Sequence, residues 1–237
     1  MNMMDLGNQL KDTVVKIIAI KNNDTVIQST GTVYTYKEND KIIPLILVDY
    51  NKLNNIKTGV ITFNTHNNGE KNDSIKVNFD QTIIKKLGRL DIGVIPIASV
   101  INKIPNLYYK SIDEEITLDR DKLEMLMGIE DVIYMGFAEG IDNMPIVKKS
   151  ITSTPIEDNV IFYIDTKINK GMSGSPVFIC NQGMYPIANG MAMGNRILFV
   201  GIIEESILPD RYTKHELTRV INSYIIKDEI KTLVKNI

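Results

Sequence analysis

The residues best placed to do chemistry lie in Gly171-Met172-Ser173-Gly174-Ser175-Pro176, a serine set among glycines and followed by a proline. A serine hydroxyl is a weak nucleophile near neutral pH until an adjacent base takes its proton. Taken alone the run also reads as a tight turn between two strands, since such bends demand glycine for backbone reasons. The question is therefore where a base would come from. The chain has only two histidines. His66 lies in Phe63-Asn64-Thr65-His66-Asn67-Asn68-Gly69, a strand running into an Asn-Gly turn, where a histidine is normally solvated. His215 sits in Lys214-His215-Glu216, polar on both sides, and reads as an exposed loop residue. Neither is spaced with a second histidine or a cysteine for metal binding, so no metal and no cofactor are expected.

The elements that must position Ser173 are mostly short strands. Segments rich in Val, Ile, Thr and Tyr, bounded by Asn, Gly and Asp, recur at Thr13–Ile20, Thr25–Tyr36, Ile42–Val48, Gly59–Phe63 and Ser74–Val77. Many short strands of this kind suit β-barrels. Asp5–Lys11 suggests a short leading helix, and Lys103–Asp113 a less regular crossing. Leu118, Leu123, Leu126 and Met127 among charges suggest one amphipathic helix over Leu118–Met127. Ala188–Arg196, with Gly190 and Gly194, reads as a flexible turn before a strand at Ile197–Val200. Ser223 is placed to cap a last helix whose Ile225, Ile226, Ile230 and Leu233 recur at helical spacing.

Composition narrows the setting. A length of 237 residues fits two barrels of roughly a hundred residues each. A hydrophobic content of 43% supports a real core, and a net charge of -2 gives no electrostatic footprint for nucleic acid or anionic lipid. No apolar run reaches the length of a membrane span. The single cysteine, Cys180, excludes an internal disulfide and suggests a reducing compartment. It follows Val177-Phe178-Ile179 and reads as a core residue. Met1–Asp12 lacks the pattern of a signal peptide, so a cytoplasmic location is expected.

Several stretches together resemble the trypsin-like serine proteases, most closely their bacterial-type intracellular branch. Gly171–Pro176 resembles the nucleophile loop. Leu90-Asp91-Ile92-Gly93-Val94-Ile95 resembles the strand whose leading aspartate orients the histidine. Ser29-Thr30-Gly31-Thr32-Val33-Tyr34 resembles the strand ahead of that histidine, Ile133-Tyr134-Met135-Gly136-Phe137 the start of a second barrel, and Leu217–Asn222 the last strand. The resemblance implies an all-β fold of two six-stranded antiparallel Greek-key barrels with a closing C-terminal helix. It places an N-terminal barrel over 1–105, a connection with a short helix over 106–130, and a second barrel with the closing helix over 131–237. It also implies Ser173 as nucleophile, Asp91 as the orienting acid, and the amides of Gly171 and Ser173 as oxyanion donors.

The departure is at the base. In Ile46-Leu47-Val48-Asp49-Tyr50-Asn51-Lys52-Leu53, the resemblance puts Lys52 at the histidine position, and a register slip offers Asn51 or Tyr50 instead. A lysine acting near neutrality needs its usual value of about 10.4 lowered by roughly three, equivalent to about 4 kcal/mol. A neighbouring carboxylate pushes the other way, so an ion pair between Lys52 and Asp91 is expected. Other family positions also differ. Met172 fills the variable slot before the serine, and Lys167 falls near the floor of the specificity pocket, where it also reads as a solvated loop residue. Glu204, Glu205 and Ser206 stand where the family tends to keep a serine, an apolar residue and a glycine, so Ser206 narrows the entrance.

These features favour a protein of the protease fold that has lost catalysis and binds a protein or peptide partner, alone or within a larger assembly. No nucleic acid and no membrane are expected. The alternative is an active serine endopeptidase using Ser173 and Asp91 with Lys52 or His66 as the base.

Overall fold

β-Branched residues dominate the strands because a branched side chain packs well on a pleated surface. A computed structural model describes residues 9–38, 41–67, 70–104, 106–141, 144–204 and 217–235. The first sheet contains β1 (Val14–Lys21), β2 (Val26–Glu38), β3 (Lys41–Asp49), β4 (Ile56–Asn67), β5 (Glu70–Phe79), β6 (Lys85–Lys86), β7 (Ile92–Pro96) and β8 (Leu107–Tyr108). Its order is β5-β4-β1-β2-β3-β7-β6, with β8 paired to β4. The six longer strands match the expected barrel; β6 and β8, two residues each, are additions to it.

The second sheet contains β9 (Asp131–Gly136), β10 (Ile146–Ile151), β11 (Ile161–Ile164), β12 (Pro176–Ile187), β13 (Gly190–Ile203) and β14 (Thr218–Asn222), in the order β10-β9-β12-β13-β14-β11. β11 returns to lie beside β14, a Greek-key crossing. A bridge between Thr152 and Ile164 joins the two outer strands and closes the ring. All strand pairings within both sheets are antiparallel.

Three cores result. One lies inside the first sheet around Ile17, Val33, Ile46 and Leu53. A second lies inside the other sheet around Tyr134, Phe162, Val177 and Val200. The third joins them: Tyr34 and Tyr36 of β2 pack with Met135, Phe178, Phe199 and the buried Ile226 and Ile230 of the last helix, Ser223–Lys235. This sandwiching explains why β2 is buried on both faces from Ser29 to Tyr36 rather than alternating. The connecting segment stitches the junction, with Ile112 bridging Tyr34 and Thr117 bridging Phe199.

Three sequence expectations are corrected. The helix over Leu118–Met127 is confined to Arg120–Glu124, capped by Asp119, because Leu118 is drawn into the second core. Ala188–Arg196 is not a flexible turn: Gly190–Arg196 is strand, part of a long hairpin in which Gly183 pairs with Gly194. Ser223 does not cap the last helix. Its hydroxyl donates to the Phe199 carbonyl at 2.6 Å, and Asn222 Oδ1 accepts from the Tyr224 amide instead.

Candidate functional site

The loop carrying Ser173 lies where both sheets meet, and several residues of β2 fasten it. The Thr30 amide donates to the Ser173 carbonyl at 2.9 Å. The Thr30 hydroxyl donates to the Gly171 carbonyl and accepts from the Phe137 amide, while the Thr32 hydroxyl donates to the Gly174 carbonyl at 2.7 Å. From the other side, the Gly174 amide donates to Ile203 and the Ile203 amide returns to Ser175. Buried polar groups need such partners, so the hydroxyl run of β2 is the counterpart of the loop's buried backbone.

Glycine is required at both ends of the bend. Gly171 and Gly174 have φ of 90° and 86°. A Cβ at Gly174 would fall 2.0 Å from the Thr30 carbonyl oxygen, and one at Gly171 would fall 2.5 Å from that of Phe137. The resulting turn leaves the amides of Gly171 and Ser173 unclaimed by acceptors among the described residues.

Ser173 is only 2% exposed. Its hydroxyl oxygen lies 3.3 Å from that of Ser29, and Ser29 Oγ donates to the Ser173 carbonyl at 2.9 Å. A hydroxyl has a single proton to give. With the Ser29 proton directed at the carbonyl, the Ser173 hydroxyl is the donor in the contact between the two.

Lys52 lies on the short helix Tyr50–Leu53, whose N-cap is the fully buried Asp49; Asp49 Oδ1 accepts from the Lys52 amide at 3.1 Å. The Tyr50 amide donates to the Asp91 carbonyl, docking this helix against the start of β7. An ion pair at the Asp91 carboxylate is made by Lys86, at 3.6 Å. Lys86 and Asp91 flank the β6–β7 pairing, in which Lys86 stands opposite Gly93. The Lys86 ammonium also lies 5.2 Å from the centre of the Tyr50 ring.

Glu204 adds a second acid centre. It is 5% exposed and paired with Arg219 at 3.3 Å. Burial pushes its carboxyl up to about 7; Arg219 opposes this, Asp49 and Asp91 add to it, and a hydrogen bond from Asn51 lowers it again. Glu204 Oε2 has no hydrogen-bond partner among the described residues. Lys167 is exposed. Ser206, Glu205 and His215 lie outside the described residues. The backbone of His66, on β4, pairs with Lys71 of β5, and β1 and β2 separate β4 from β3 in the sheet order; the His66 side chain lies outside the described residues. Ser29, Thr30, Thr32, Asp49 and Lys86 were missed as site residues. Only the hydroxyl run in a buried strand and the aspartate ahead of Tyr50–Leu53 carried a local signal for any of them.

No protein-family model matches the chain, and no curated protein matches it. Solved structures do. The active form of the Rv3671c protease from M. tuberculosis superimposes with a TM-score of 0.56 at 13% identity, covering 95% of this chain and 82% of that one. The HtrA-type protease AlgW gives 0.57 at 11%, covering 100% of this chain and 64% of that one. The serine endoprotease from Yersinia pestis gives 0.57 at 15%, covering 99% and 67%. The chain thus spans about two thirds of the length of the latter two. It has the double-barrel fold of the trypsin-like serine proteases.

Proposed function

We propose that this trypsin-like fold serves as a peptide- or protein-binding module, alone or within a larger assembly, whose serine is not activated for proteolysis. The observation that carries this reading is the contact of the Ser173 hydroxyl with the Ser29 hydroxyl. A neutral hydroxyl is no general base near neutral pH, and losing a triad histidine costs roughly a millionfold in turnover in a well-studied serine protease. The resemblance puts a lysine, Lys52, rather than an imidazole at the base position. Asp91, which would orient a base, is engaged by Lys86. An extended segment can still be held by strand addition beside the loop, with main-chain hydrogen bonds supplying affinity. The single cysteine favours a reducing, cytoplasmic setting.

One observation favours a second reading. The Gly171 and Ser173 amides remain unclaimed among the described residues, the arrangement that an oxyanion needs. On that reading the chain is an active serine endopeptidase with Ser173 as nucleophile, Asp91 as orienting acid, and Lys52 or His66 as base. A library of extended peptides offered to the purified protein separates the two. Retention of peptides without cleavage supports the binding module. Cleavage that disappears in Ser173→Ala supports the endopeptidase.

A further inference from the structure

We propose that a second recognition point, a pocket built from elements that take no part in the Ser173 site, holds a lysine or arginine side chain of a protein partner. The cavity measures about 230 Å³ and lies between Arg120–Glu124, the segment after β10, and the start of the last helix. Its floor is apolar: Ile156 is buried, and Leu123 and Tyr224 pack against the second core. Its rim carries Glu124, Glu157 and Asp158 against one guanidinium, Arg120, which already pairs with Glu124 at 3.7 Å.

The pocket is built in advance of any occupant. Asn222, 1% exposed, donates through Nδ2 to the carbonyls of Glu157 and Asn159 at 2.6 and 3.1 Å. Its Oδ1 accepts from the Tyr224 amide at 3.0 Å. One buried amide therefore fastens two of the three walls, which lowers the conformational entropy lost when the pocket fills.

Size and charge select the occupant. Sites for drug-sized ligands run from about 300 to 1,000 Å³, so this cavity suits one long side chain better than a cofactor. An aliphatic stem laid on Leu123, Ile156 and Tyr224 with a cationic head at the carboxylates is how lysine and arginine cover apolar surface while staying charged. The Tyr224 ring adds an attraction for the same cation. A neutral side chain gains the floor alone, and an acidic one meets an excess of negative charge at the rim.

The test uses the full chain, isotopically labelled, and amide NMR during titration with an acetylated pentapeptide of glycine with one central lysine. A matched peptide with norleucine keeps the stem and removes the charge. Shifts confined to Leu123, Ile156 to Asp158 and Tyr224 are expected, saturating in the millimolar range. Affinity is expected to fall about tenfold for norleucine and about tenfold in a Glu157→Gln, Asp158→Asn variant, and to weaken as salt is raised. Both replaced residues are exposed, so the variant retains its fold. No shift at these amides, equal binding of norleucine, or undiminished binding by the variant would overturn the proposal.

Discussion

The Ser173 hydroxyl oxygen lies 3.3 Å from the Ser29 hydroxyl oxygen, and Ser29 in turn donates to the Ser173 carbonyl. Ser29 is fully buried and Ser173 nearly so, and this pair joins the two sheets. Replacing Ser29 with alanine leaves the Ser173 carbonyl with the Thr30 amide but strips the Ser173 hydroxyl of its acceptor. A loss of about 1–2 kcal/mol is expected from denaturant unfolding, without any gain of hydrolytic activity.

The bend is more sensitive than the hydroxyls. Gly174→Ala combines a left-handed backbone with a Cβ 2.0 Å from a carbonyl oxygen, and about 3 kcal/mol or more should be lost. Gly183→Ala is the control. Its φ of 80° is nearly the same, but nothing lies within 4 Å of the added carbon. It should cost about 1–2 kcal/mol, the strain alone. Equal midpoints for the two variants would show that the close approach to β2 is wrong.

Glu204 sets a pH dependence. Its carboxyl is raised from an ordinary 4.5 to about 7, so the folded protein holds a proton there that the unfolded chain releases. The associated stability is fully present below about pH 4.5 and is lost as pH rises through about 7. Unfolding free energies measured across that window should converge on, or fall below, those of Glu204→Gln as pH rises. A difference that stays constant with pH would contradict the burial argument.

Cys180 is half-buried beside the core shared by the sheets, and burial pushes its thiol up to about 12. Since the thiolate is the reactive form, alkylation by iodoacetamide at about pH 8 should be at least about a hundredfold slower in the folded protein than in denaturant. Comparable rates would place the thiol in solvent.

Much of the scaffold was legible in the sequence, for physical reasons. Strands such as Val14–Lys21 and Ile92–Pro96 announce themselves by branched side chains between turn residues, and the bend at Ser173 by glycines that no other residue could replace. What escaped reading depends on contacts between distant segments. Ser29 meets Ser173 across 144 positions of sequence, and nothing local to either residue specifies that contact. The cation at Asp91 follows from the register that sets Lys86 opposite Gly93, which the spacing of charges does not reveal. Gly190 and Gly194 looked like a turn because glycine weakens strands, yet continuous pairing with β12 outweighs that cost.

The central claim, that Ser173 is held in the fold without activation, is tested most directly by the rate at which a fluorophosphonate labels the native protein, with Ser173→Ala and Lys52→His measured alongside. The account predicts labelling of the native protein no faster than that of Ser173→Ala, and faster labelling only when a histidine is supplied at position 52. Rapid labelling of the native protein that vanishes in Ser173→Ala would contradict it and establish an activated nucleophile.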